Sequence, residues 1–234
     1  QIDPPDTDCA QALDLLRQWN YQIDRDQVQP TIYAKTRALL GHHIAQHLFG
    51  PDALTLLSQA GAETHWRLIH IEAAIALQRD DTSLLPAGQT WSDALTNALA
   101  ALKADLGDDM TQWQWGRLHH TKAQHPLSAV FPETADLLNP PSLPVHGDGD
   151  TPLAGSYGNG RLFTVTGLSV NRYIHDPADW TRSRWIVPLG ASGHPGSPHY
   201  ADQAELWAGV DYIPQLWDWK EIATRAESLQ NLRP

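Results

Sequence analysis

The chain has 234 residues, 41% of them hydrophobic, with a formal charge of −11 and a single cysteine. That length and apolar content suffice for a sizeable core in one large domain or two small ones, whereas 16 basic against 27 acidic residues leave too little positive surface for a general nucleic-acid or anionic-membrane partner. No run of 18 apolar residues and no signal-peptide pattern is present, so neither a membrane span nor an intact export signal is expected, and Cys9, being alone, excludes an intrachain disulfide.

Residues 1–110 are expected to form a mainly helical region. Leu13, Leu16 and Trp19, then Val28, Ile32, Leu39, Leu40, Ile44 and Leu48, recur at spacings of three, four and seven. Gly50-Pro51 would end one helix and place Pro in the first turn of the next, and Gly61 would separate that from an Ala62 to Arg79 helix. After the Pro86-Ala87-Gly88 gap, Thr90 with Asp93 three residues on has the form of a capping box opening a Trp91 to Leu106 helix that Gly107 stops.

Residues 111–200 are expected to be strand-rich with long Pro/Gly loops, and 201–234 to form C-terminal helices. Trp113 and Trp115 alternate with Gln112 and Gln114, the period of a half-buried strand. Nine of the 22 residues from 139 to 160 are Pro or Gly, and strands are expected at Leu162 to Val165, Val170 to His175 and Arg184 to Val187. Tyr200 to Val210 and Lys220 to Leu232 return to helical spacing. Helices, then strands, then helices make the expected fold class α+β.

The Pro188 to Gln203 segment is a shaped loop: six of its first eleven residues are Pro or Gly, which hold a backbone path at low entropic cost. Three readings are open for it, namely a loop at a catalytic cleft, a phosphate cradle and a structural plug. The phosphate reading lacks the Lys-Ser/Thr pair that follows the glycines of such cradles. Ser192 and Ser197 lie near His194 and His199, but without Gly-x-Ser-x-Gly they do not spell a serine hydrolase, and loop-locking hydrogen bonds are the default role for the two histidines.

Of the twelve histidines, His43 and His47 lie four apart on a helix, as zinc-binding pairs do, but the Glu of His-Glu-x-x-His is missing and no third ligand is apparent. His119, His120 and His125 make a weaker set still. Gly147-Asp148-Gly149-Asp150-Thr151 starts like a calcium loop and stops too soon, so Asp side chains bonding their own backbone are the expected role. Ten tryptophans raise a carbohydrate-binding or glycosidase alternative, although Trp91, Trp180, Trp207, Trp217 and Trp219 fall on element starts or apolar faces, where they are more often core.

Together with Trp180 to Trp185 before it and Asp202-Gln203 at its end, the Pro188 loop resembles the C-terminal signature of the penicillin acylase family of N-terminal-nucleophile hydrolases. Two further stretches match in order: Trp115-Gly116-Arg117-Leu118-His119 with His125-Pro126-Leu127, and Gly147 to Thr151. A looser match runs from Leu16-Arg17-Gln18-Trp19 to Thr31-Ile32-Tyr33, with Trp19-Asn20 where the family usually has Trp-Asp. The resemblance implies the C-terminal part of the family's large (beta) subunit, with a helical N-terminal layer plus strands of a partial αββα sandwich.

It further implies a parent amidohydrolase that cleaves an acyl group from an amine through an acyl-enzyme, on penicillins, acyl-homoserine lactones or acylated peptides, after its precursor has cut itself. The expected partners are the remaining segments of that precursor, the small subunit and the N-terminal part of the large subunit, and for the assembled enzyme a small-molecule acyl-amide. The resemblance also implies a periplasmic or secreted location. Family members attack through the first residue of the large subunit, whose α-amino group, with a pKa of about 7.7–8.0, activates its own hydroxyl. Gln1 has neither hydroxyl nor thiol, and with Met110 as the sole methionine it suggests a processed chain or an excised domain. No catalytic, cofactor-binding or metal-binding residue is therefore assigned, no cofactor is expected, and the chain's own role is read as architectural. The alternative is a non-catalytic carbohydrate- or metal-binding module.

Overall fold

The computed structural model describes residues 3–59, 63–157 and 163–232, with side chains of 53, 54, 56–59 and 63–68 excepted. The chain divides into two compact units, one made of residues 1–122 and 142–168, the other of 123–141 and 169–234.

The first unit is mainly helical. Helix α1 (Thr7–Arg17) starts where Asp6 accepts the Cys9 N–H at 2.7 Å, with Asp8 in its first turn and Arg17 in its last, both favourable to the helix dipole. Helix α2 (Gln29–Gln59) is two segments broken at Gly50, which takes φ +77° and ψ 167° immediately before Pro51, so the expected break is where glycine and proline put it. Helix α3 (Glu63–Gln78) matches the expected third helix at its C-terminal end; Gly61 and Ala62 lie outside the described residues. Helix α4 (Trp91–Leu106) opens on the expected capping box, the Asp93 carboxylate accepting both the Thr90 N–H (2.6 Å) and the Thr90 hydroxyl (2.9 Å), and ends at Gly107 with φ +94°.

Among the described residues these helices bury several apolar clusters. One joins Cys9 and Ala12 of α1, Ile32 of α2 and Leu95, Leu99 and Leu102 of α4 to Met110 and Trp113. A second joins Ile44 and Ala45 of α2, Ile69, Ala73 and Ala76 of α3, Leu85 and Trp91. Ala34, Ala38, Trp115 and Phe163 form a third. Burying one side chain of the size of Leu95 or Ile44 contributes about 1.5–3 kcal/mol, so Leu95, Leu99 and Leu102, spaced four and three apart on one face of α4, attach it to α1 and α2.

Trp113 and Trp115 are both fully buried, but not as a strand. They sit at single 3-10 turns, Met110–Gln112 and Trp115–Arg117. The period of two in burial was correctly legible, whereas the backbone partners were not: Asp109 caps the Thr111 N–H, and Trp115 N–H and Gly116 N–H donate at 2.8 Å to the carbonyls of Gln27 and Arg25, before α2. The unit ends in a short antiparallel pair, β1 (Gly155–Ser156) with β2 (Gly167–Leu168). Val165 makes a single bridge to Thr121, and Leu162, from the strand expected there, lies outside the described residues.

The second unit holds α5 (Pro126–Val130), α6 (Ala135–Leu138) and an antiparallel sheet in the order β3 (Arg172–Ile174), β4 (Arg184–Ile186), β5 (Ile213–Pro214), with α7 (Ala204–Ala208) between β4 and β5. Tyr173 stands opposite Trp185, and Trp185 opposite Ile213. The expected strands at 170–175 and 184–187 are thus present in shorter form. Helix α7 is shorter than the expected Tyr200 to Val210 helix because Tyr200 to Gln203 are consumed by the preceding loop and Val210 turns to φ +64°. Helix α8 (Trp219–Arg225) starts on Asp218, which accepts the N–H groups of Lys220 and Glu221, and stops at Ala226 in extended conformation, so 226–232 are not helical as expected. The fold is mixed helix and sheet, as the sequence implied.

Candidate functional site

The Gly147 to Thr151 and Trp115 to His119 stretches meet in the first unit. Gly147 holds φ +86°, and a Cβ there would stand 2.0 Å from the Leu153 carbonyl oxygen. Only glycine fits that turn. The next residue, Asp148, is buried: its Oδ1 accepts the Gly149 N–H at 2.6 Å, its Oδ2 faces the Arg37 guanidinium at 3.4 Å, and its own N–H donates to Thr151 Oγ1 at 2.8 Å. The carboxylate therefore bonds its own turn, as expected, and turns its other oxygen to Arg37. Burial, with Asp148 beside it, pushes the Tyr157 phenol far above its ordinary pKa, so the ring stays protonated as a donor within the same cluster.

Trp115 ties the two stretches together, its indole Nε1–H donating to the Gly147 carbonyl at 2.9 Å. The His119 ring stacks on Trp115 at 4.7 Å between centroids, with Tyr157 edge-on at 5.6 Å. His119 Nδ1 lies 2.9 Å from the Phe163 carbonyl, which makes it the protonated nitrogen, and burial lowers the ring's pKa. Nε2 is buried without a hydrogen-bond partner among the described residues, against Gly155, where a Cβ would come within 2.9 Å. His119 is a neutral packing ring. The departure at Asn20 has a local explanation: its Oδ1 accepts the Gln22 N–H at 3.0 Å, the same acceptor role an Asp would fill.

The Pro188 to Gln203 loop, in the second unit, is closed on itself. Gln203 N–H donates to the Leu189 carbonyl at 2.8 Å while Gln203 Oε1 accepts the Val187 N–H, and Ser192 N–H donates to the His199 carbonyl at 3.0 Å. Ser192 Oγ accepts the His194 N–H, Ser197 Oγ accepts the His199 N–H, and His194 Nδ1 accepts the Gly196 N–H at 3.0 Å. Both serines and His194 are thus spent on the loop's backbone, which for His194 is the locking role the sequence suggested. The His199 ring reaches Asp202 at 2.8 Å and Glu227 at 3.0 Å, and these two carboxylates raise its pKa to about 9. Protonated at neutral pH, it cannot serve as a general base there. Tyr200 fastens the loop to α6 through its hydroxyl, which donates to the Leu138 carbonyl at 2.6 Å.

His125 also has a structural role, its Nδ1 accepting the Leu127 N–H at the start of α5. His43 is half-buried on α2 with its Nε2 lacking a partner among the described residues, and His47 is exposed. Among the described residues no group of three His, Cys, Asp or Glu is placed to hold a metal ion. Cys9 is buried beside Thr96, and burial pushes its thiol pKa up, which keeps it un-ionised and inert. One Ser–His contact was not anticipated: His120 Nδ1 lies 2.7 Å from Ser142 Oγ. That hydroxyl donates to the Thr121 carbonyl at 2.6 Å, not to the ring, and no carboxylate bonds the ring among the described residues, so neither hydrogen bond of a nucleophilic triad is made. Nothing in the sequence signals a pair 22 residues apart.

Two of the five tryptophans expected in the core are there, Trp91 and Trp207. Trp180, Trp217 and Trp219 are not: they are 50%, 43% and 82% exposed, and Trp180 packs edge-on against Trp217 at 4.8 Å. Tyr173 of the edge strand β3, 57% exposed, lies near His175 at 4.6 Å between ring centroids and His175 near Trp180 at 6.4 Å, so Tyr173, His175, Trp180 and Trp217 form an exposed aromatic row on the second unit.

The penicillin amidase family profile matches residues 2–224. The chain is 43% identical over 158 residues to the penicillin acylase 2 proenzyme of Pseudomonas sp. (strain SE83), covering 68% of this chain and 20% of that protein. It is 30% identical over 131 residues to the acyl-homoserine lactone acylase QuiP of Pseudomonas aeruginosa, covering 51% of this chain and 16% of that one. A solved thermostable penicillin G acylase from Alcaligenes faecalis aligns with a TM-score of 0.45 at 16% identity, over 100% of this chain and 44% of that chain. The chain belongs to the penicillin amidase family. It spans about one fifth of the length of the curated relatives it matches.

Proposed function

We propose that this chain is the C-terminal part of the large subunit of a penicillin-acylase-like amidohydrolase, and that its role in that enzyme is architectural. The observation that carries the reading is the family match over residues 2–224 combined with what the matching stretches do. Trp115, His119, Asp148 and the Pro188 to Gln203 loop are each consumed in holding backbone, not presented as reacting groups. The relatives' names, a penicillin acylase and an acyl-homoserine lactone acylase, support an acyl-amide substrate for the parent, cleaved through an acyl-enzyme on a nucleophile that other segments supply. The word proenzyme in the first of them supports a precursor from which the parent matures, with the remaining segments as this chain's partners. In the parent the helices and sheets would form part of an αββα sandwich, and the parent would act in the periplasm or outside the cell. No helix of the described residues is long and apolar enough to cross a membrane.

The expected outcome is that the purified chain does not turn over a chromogenic acyl-anilide and that supplying the remaining segments in trans yields activity. Turnover by the chain alone overturns the architectural role. The edge of β3 that is unpaired among the described residues and the exposed Tyr173, Trp180 and Trp217 are surfaces the remaining segments of the precursor would cover. The isolated chain should accordingly bind an apolar-surface dye and lose that binding on assembly. A monomer that binds no dye and unfolds in two states argues against it.

A further inference from the structure

Helices α1, α2, α3 and α4 of the first unit line a half-open cavity of about 230 Å³, bounded by Leu13 and Leu16, Arg37, Ala73 and Leu77, and the Trp91 ring. An apolar cavity of about 150 Å³ is large enough to take up benzene, so this one has room for a ring or a short alkyl chain. Thr36 donates its hydroxyl to the Ile32 carbonyl at 2.7 Å, while the nitrogens His70 Nε2 and Trp91 Nε1, without a hydrogen-bond partner among the described residues, are buried and present no surface to the space. Among the described residues Arg37 is the one charged member of the lining, and its guanidinium faces Asp148 at 3.4 Å and lies over the Tyr33 ring at 5.4 Å. A second carboxylate brought to Arg37 would meet Asp148 in a poorly screened setting, whereas a neutral oxygen can accept one of the guanidinium's several N–H donors.

We propose that this cavity binds a small neutral apolar molecule, one aromatic ring or a short alkyl chain in size, with any oxygen turned toward Arg37. The proposal does not rest on the acylase reading.

The test titrates the chain with p-cresol and octan-1-ol, using octanoate as the charged counterpart, and follows the Trp91 indole N–H resonance. Saturable shifts are expected with both neutral probes, together with intermolecular NOEs to the methyl groups of Leu13, Leu16 and Ala73, and binding of octanoate at least tenfold weaker. Ala74→Phe, at the cavity's exposed rim, should weaken octan-1-ol at least tenfold; should that variant not fold, the NOEs on the unaltered chain decide. Absence of saturable binding up to the probes' solubility, NOEs to other residues, or octanoate binding as tightly as octan-1-ol each overturn the proposal. None of these readouts involves amide hydrolysis, so they fail or succeed independently of the enzyme's chemistry.

Discussion

At Gly190 an added Cβ would stand 2.1 Å from the His199 carbonyl oxygen and 2.6 Å from Asp202 Oδ1, while at Gly193, three residues on in the same loop, it would meet nothing within 4 Å. Gly190→Ala should therefore destabilise the chain by about 1–3 kcal/mol, the usual cost of overpacking, and Gly193→Ala should stay within about 0.5 kcal/mol of the parent; urea unfolding of the two variants checks both. The density of glycine in this loop was legible in the sequence. Which glycine is indispensable was not, since the answer lies in a carbonyl nine residues away. His199 and His70 titrate in opposite senses. Asp202 and Glu227 raise His199 to about 9, above the unfolded value of about 6.5, so its stabilisation is complete below about pH 6.5 and is lost as pH rises toward 9. Burial, and then the Arg37 charge, hold His70 at about 4, so stability present above about pH 6.5 is lost as pH falls toward 4. Urea midpoints at pH 6 and 9.5 should fall less for His199→Gln than for the parent, and an NMR titration should place the His70 midpoint near 4.

At the scale of elements, the start of α4 was the most fully legible feature of the chain. Thr90 and Asp93 are three residues apart and need no distant partner, so local chemistry alone fixes the cap, and Gly107 ends the helix by its backbone freedom. Thr90→Ala should cost about 0.5–1 kcal/mol and lower the thermal midpoint by a few degrees, whereas Thr90→Ser should leave it nearly unchanged. The Trp113 to Trp115 stretch shows the opposite case. A period of two is shared by strands and by successive tight turns that bury alternate side chains, and the choice was made by the carbonyls of Arg25 and Gln27, which take the N–H groups of Gly116 and Trp115 before any strand partner could. The same reason shortens α7: the backbone from Tyr200 to Gln203 is bonded into the loop, so spacing alone overstated the helix.

At the scale of the whole molecule, Arg37 and Asp148 make a charged contact 111 residues apart in sequence, with Asp148 buried and Arg37 partly open to water. Asp148→Asn should destabilise by about 2–4 kcal/mol, toward the lower part of the range for a broken buried pair because Arg37 keeps some solvent. Asp14→Asn, which breaks the exposed pair with Arg17, should cost less than about 1 kcal/mol; denaturant unfolding of both separates the cases. The sequence by itself determined the α+β class, the α4 cap, the Gly50 break and the family, because these are carried by residues close together whose chemistry is local or whose order is diagnostic. Only the tertiary structure decided that Trp180, Trp217 and Trp219 face solvent, that His119 is a neutral stacked ring, and that four helices leave a cavity beside Arg37. Burial, partner choice and void space depend on segments that meet across a hundred residues of chain, and no local pattern encodes which of them will meet.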